Sequence, residues 1–166
     1  MTKTRFRIAA IIAVAVLAAT PALAKNVRNS SGSVAATQDT TRTIYVVATH
    51  VHFTTADVAP SGDSIGDELV FTAVDENLAG DTVGRLDGYC VFTKITDGSD
   101  HLEECMLAHF LQGQGQITLQ GSFNQLGPAN DQMFAVTGGT GIYRNVTGQA
   151  ILRFAHRFLF EIQLSG

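Results

Sequence analysis

The last apolar run of the chain alternates. Phe158, Phe160, Ile162 and Leu164 fall on one side, and Arg157, Glu161 and Gln163 on the other with Leu159. A period of two sends successive side chains to opposite faces, so this segment predicts a half-buried strand. Seven further runs rich in β-branched and aromatic residues precede it: 43–53, 68–74, 88–95, 103–111, 116–123, 133–137 and 147–155. Turn residues separate them, among them Asp97-Gly98, Gly113-Gln114-Gly115 and Gly138-Gly139-Thr140-Gly141. No stretch carries an apolar stripe at helical spacing. Short strands with turns every few residues predict an all-β antiparallel sandwich or barrel. About eight of them within residues 42–166 suit a closed barrel, whose interior holds side chains or one small ligand.

Glycine clusters also mark phosphate-binding loops, but Gly138-Gly139-Thr140-Gly141 has no Lys and no helix pattern after it. It reads as a tight strand connection. Asp97-Gly98 is a strong short hairpin signal. If it forms a two-residue turn, residues whose numbers sum to 195 face one another, and Cys90 and Cys105 do. Their separation then suits a disulfide. A longer loop or a bulge adjusts that geometry, and the competing expectation is a free thiol lining a pocket.

The first 24 residues stand apart. Lys3, Arg5 and Arg7 precede an apolar run from Ile8 to Ala19, and Ala22-Leu23-Ala24 follows as an A-x-A cleavage site. These are the three regions of a signal peptide, in order, and the apolar run is too short to span a bilayer. The expectation is a secreted protein, extracellular or periplasmic, with no membrane span after cleavage. Residues 25–41, rich in Asn, Ser, Thr and Ala, predict a flexible leader, and 42–166 one domain. Without residues 1–24 the chain has 8 Lys and Arg against 15 Asp and Glu, so a nucleic-acid partner is not expected. An oxidising compartment favours pairing of the two cysteines. Asn29 and Asn145 open N-x-S/T glycosylation patterns, which matter only where that machinery exists.

The order of glycine-punctuated segments carries a family resemblance. Ile65-Gly66-Asp67-Glu68-Leu69-Val70-Phe71 precedes Val83-Gly84-Arg85-Leu86-Asp87-Gly88-Tyr89-Cys90. Then come Gly115-Gln116-Ile117-Thr118-Leu119-Gln120-Gly121, Ala135-Val136-Thr137-Gly138-Gly139-Thr140-Gly141-Ile142-Tyr143 and Gly148-Gln149. The set resembles the allene oxide cyclase and dirigent protein superfamily, in the manner of a bacterial secreted member. The resemblance implies an eight-stranded antiparallel barrel with an apolar pocket, assembled as a trimer or another homo-oligomer. It also implies cofactor-free chemistry on a hydrophobic small molecule.

Few of the family's site residues carry over. Cys90 matches a pocket cysteine of the plant cyclases, whereas their asparagine falls at Ala73. The pocket tyrosines of dirigent proteins fall at Cys90 and Phe92, the aspartate after the Gly-Gly-Thr-Gly turn is Ile142, and an arginine is replaced near Thr147. The scaffold is retained and neither plant active site is complete.

The remaining polar candidates come from spacing. His50 and His52, two apart, share a strand face and could shuttle a proton if that face points inward. With Cys90 they form the expected catalytic set. Tyr89, Phe92, Phe71 and Tyr143 are the expected substrate-binding residues. His109 and His156 are possible third metal ligands with no standard spacing, so no metal and no cofactor is expected. Arg153 or Arg157 is expected to pair with Glu161. Three functions stay open: a cofactor-free cyclase, isomerase or stereocontrol protein; a non-catalytic, lipocalin-like binding barrel; and a structural module with a filled interior.

Overall fold

A computed structural model describes residues 41–58, 60–95, 101–124, 131–154 and 157–166. The expected signal peptide and all of the leader except Thr41 lie outside them, as do Asn29, Asp97, Gly98 and His156. Eight strands form: β1 Arg42–Ala56, β2 Glu68–Glu76, β3 Thr82–Ile95, β4 His101–Leu111, β5 Gly115–Asn124, β6 Gln132–Gly139, β7 Thr147–Arg153 and β8 Phe158–Ser165. Each pairs antiparallel with the next, and β8 returns to β1, closing an all-β barrel. Closure leaves no sheet edge unpaired. No helix among the described residues is long and apolar enough to cross a membrane.

Strand β3 starts at Thr82, six residues before the expected start, and runs through two glycines. Glycine usually weakens a strand, which is why the run looked shorter in the sequence. Here the neighbouring backbone needs the space. A Cβ on Gly84 would lie 2.2 Å from the carbonyl oxygen of Phe110 on β4.

The two ends of the barrel differ. The turns at residues 77–81, 112–114 and 140–146 gather at one end with the start of β1 and the finish of β8. There the backbones of Gly115 and Gly141 (φ +62°) lie so close that a Cβ on Gly141 would meet the Gln114 oxygen at 2.2 Å. The Gly-Gly-Thr-Gly segment is therefore a packed strand connection. It leads into a single 3₁₀ turn, Gly141–Tyr143, and Tyr143 is buried in the core with Ile117, Leu119, Ala150 and Ile162. The finishes of β1, β3, β5 and β7 lie at the opposite end.

Among the register shifts, those in β1 and at the β3–β4 pairing bear on the expected site residues. In β1, Thr49 pairs with Val74 and His52 with Thr72, a step of three against two. The extra residue falls at His50, whose φ of +49° lies in the left-handed region. Such a bulge flips the alternation. The alternation thus changes phase: Val46 and Ala48 face the core before the bulge, and Val51 packs against it after the bulge. In β3 a second shift between Phe92 and Lys94 makes Thr93 the extra residue. Below it Cys90 faces Cys105 as expected, whereas above it Ile95 pairs with His101, one register position away from a strict two-residue turn.

Candidate functional site

The half of the barrel away from Tyr143 encloses a cavity of about 370 Å³. Leu69 and Phe71 of β2, Leu107 of β4, Phe134 of β6 and Phe160 of β8 are among its walls. Phe53 and Phe158 also line it and are exposed, so the cavity meets the surface there. The walls are apolar except at one place, where Glu103 of β4 stands beside the Cys90–Cys105 disulfide. Strand alternation explains the placement: residues 103, 105, 107 and 109 form the inward row of β4.

Glu103 is fully buried, and neither carboxylate oxygen has a hydrogen-bond partner among the described residues. Burial favours the uncharged form and pushes its pKa up to about 7. A carboxyl so placed exists in both protonation states near neutral pH and can give or take a proton. A carboxylate oxygen of Glu103 and the two cysteine sulfurs lie within 4.8 Å of one another. The sulfurs are bonded together, and there are no free cysteines, so these three groups do not form a ready metal-ligand set.

A second buried polar pair lies six residues further along β4. His109 Nδ1 is 2.9 Å from Asp75 Oδ2 of β2, and both side chains are completely buried. The His109 ring also meets Phe160 edge-on, with centroids 4.7 Å apart. His109 Nε2 and Asp75 Oδ1 have no partner among the described residues. Neither residue lines the cavity. His109, considered from sequence only as a spare metal ligand, is thus half of a core pair.

The expected site residues are scattered by comparison. His50 and His52 do not share an inward face, because the bulge separates them. Both are exposed, His50 at a shallow cleft beside Phe158 and His52 in a groove on the outer surface. Cys90 faces inward, but its bond to Cys105 removes the thiol that a catalytic or hydrogen-bonding role would need. Tyr89 points outward, and its hydroxyl donates to the Met106 sulfur at 3.1 Å. Tyr143 is buried at the closed end, where its hydroxyl donates to Gln114 Oε1 at 2.5 Å. Phe92 is buried with its ring against the His101 edge and is not a cavity wall. Phe71 does line the cavity. The expected ion pair forms between Arg153 and Glu161 at 2.9 Å, with Asp131 as a further partner.

Glu103 was missed because an acidic residue in an alternating strand normally faces water. One signal was available: it lies two positions from Cys105, so an inward Cys105 requires an inward Glu103.

The interior is not filled at this end. No family model matches the chain, and no curated protein matches it. Solved structures do match in fold. A pyocyanin demethylase aligns with a TM-score of 0.63 and 24% identity, over 74% of this chain and 99% of its own. The Diels-Alderase AbmU from Streptomyces koyangensis gives 0.57 and 18%, over 75% of this chain and 62% of its own. A nonspecific heme-binding cyclase that catalyses [4 + 2] cycloaddition in neoabyssomicin biosynthesis gives 0.57 and 17%, over 78% and 64%. At these identities the likeness is one of fold: the chain has the barrel architecture found in these cyclase-like proteins.

Proposed function

We propose that this protein is a cofactor-independent cyclase or isomerase acting on an apolar small molecule held inside the barrel. The proposal extends to membership of the allene oxide cyclase and dirigent superfamily, export from the cell, and a homo-oligomeric state. The observation that carries it is the Glu103 carboxyl, unpartnered among the described residues, in an otherwise apolar cavity. Apolar walls restrict a flexible substrate to folded conformers in which the reacting ends approach. In its neutral form Glu103 donates a proton to an oxygen on which negative charge develops, an epoxide or carbonyl oxygen being suitable. The cyclisations named for the structural neighbours support a reaction of this class on this architecture.

The test is turnover of apolar epoxides and polyenones capable of intramolecular ring closure, with product and enantiomeric excess read by chiral chromatography. The expected result is an accelerated, stereoselective closure whose rate falls as pH rises through about 7, where Glu103 loses its proton. Glu103→Gln should bind the same compounds and lose at least about a hundredfold in rate. Binding without turnover by the native protein would favour the carrier function. Failure to bind any apolar compound would overturn both.

A further inference from the structure

We propose that the Cys90–Cys105 disulfide and Glu103 form a thiol–disulfide exchange site for small apolar thiols that enter the barrel cavity. It shares the cavity with the cyclase proposal but does not rest on it, since its readout is the redox state of the protein.

Both cysteines line the cavity although each is almost wholly shielded from bulk solvent. A thiol that reaches this disulfide in the folded protein therefore has to pass through an apolar chamber. A charged thiol would lose its hydration there, whereas an apolar one gains by burial. Exchange also needs proton transfers, because the attacking species is a thiolate and the departing sulfur leaves as one. Glu103 is placed for both: its carboxylate oxygen is within 4.8 Å of the two sulfurs. Cys105 lies two residues along the same inward row, and Phe92, which pairs with Glu103, lies two residues from Cys90.

No other ionisable side chain lines the cavity among the described residues. His101, two positions from Glu103 on β4, turns its ring edge to Phe92. On β5, opposite Glu103, the paired residue is Phe123. The elevated pKa of Glu103 means that it accepts and returns a proton near neutrality.

The chemistry balances within the cavity. A neutral thiol gives its proton to the Glu103 carboxylate as its sulfur bonds to one cysteine sulfur and the Sγ–Sγ bond breaks. The departing cysteine sulfur takes the proton from the Glu103 carboxyl. A second thiol attacks the mixed disulfide, its proton reaching the remaining cysteine by the same route. Two thiols are oxidised to one disulfide, and the protein disulfide is reduced to two thiols.

The test uses the oxidised full chain, treated in parallel with benzyl mercaptan and with 2-mercaptoethanesulfonate at equal thiolate concentration. New protein thiols are trapped by alkylation and counted by mass. The expected result is reduction by benzyl mercaptan at least about tenfold faster than by the sulfonate. Glu103→Gln should slow the apolar thiol by about tenfold or more. Ala48→Phe, which adds bulk to the cavity wall on β1, should slow the apolar thiol and leave the sulfonate rate unchanged. Equal rates for the two thiols, both matching the rate of global unfolding, would overturn the proposal and leave a structural crosslink. Should Glu103→Gln fail to fold, thiol selectivity and its loss in Ala48→Phe decide the matter.

Discussion

The two halves of this barrel treat buried ionisable side chains in opposite ways. Toward Tyr143, Asp75 and His109 are buried together, each the other's partner, with Phe160 against the imidazole. Toward Phe53 and Phe158, Glu103 is buried beside a cavity with no hydrogen-bond partner among the described residues. A paired group holds a core in one arrangement, and removing either partner strands the other. An unpaired one weakens the fold unless it is neutral, and fold stability tolerates it where a ligand or a reaction needs it. The contrast teaches that full burial alone does not mark a functional group. An open partner position next to empty space does.

Breaking the paired half should have the largest effect. Asp75→Ala leaves His109 without its partner and should cost about 3–5 kcal/mol in urea unfolding. A loss below about 1 kcal/mol would mean that the pair contributes little to the closed half.

Glu103 should respond to pH instead. Its folded pKa of about 7 lies above the ordinary 4.5, so between these values the folded chain holds a proton that the unfolded chain has released. The associated stability is fully present below about pH 4.5 and is lost as pH rises through about 7. The expected loss by pH 9 is about 3 kcal/mol, and Glu103→Gln should abolish that dependence. An identical pH profile for the two proteins would mean that Glu103 is not buried in solution.

Packing offers a smaller and direct comparison. Ala150, fully buried in the closed half, and Ala48, on the cavity wall, are both small core residues. Ala150→Leu should cost about 1–3 kcal/mol through overpacking, and Ala48→Leu less than about 1 kcal/mol because the added carbons enter the cavity. Equal costs would show that the cavity is closed in solution.

The smallest effect is local. At the cavity end, Asp67 accepts backbone hydrogen bonds from Val58 at 2.7 Å and Ser64 at 2.8 Å, which hold its pKa below the usual carboxylate value. This tie is present near neutrality and is lost as pH falls through that lowered pKa. Asp67→Asn should speed amide hydrogen exchange over residues 60–66 at neutral pH without a measurable change in global unfolding. Unchanged exchange would mean that the side chain does not order the loop.

Period-two alternation and turn residues determined most of the fold. Eight strands were legible because each buries one face, and the Cys90–Cys105 pairing followed from counting outward from a turn. The start of β3 was not legible, since Gly84 in a strand is explained only by the Phe110 backbone opposite it. The candidate site was legible only at its edges: Phe71 and Cys90 were read as pocket residues and line the cavity, whereas Glu103 was not singled out. His50 and His52 lost their common face to one inserted residue, which changes the phase of a strand while leaving its composition untouched.

Alternation was enough to specify an all-β chain of eight strands, because it is a local property carried by neighbouring residues. Packing between strands leaves Glu103 without a partner among the described residues and gives His109 one. Both sit on the same inward row of β4, and what separates them is supplied by other strands: Asp75 from β2 for one, and an apolar cavity for the other. Whether a buried polar group has a partner depends on residues distant in sequence, so barrel closure had to be known first.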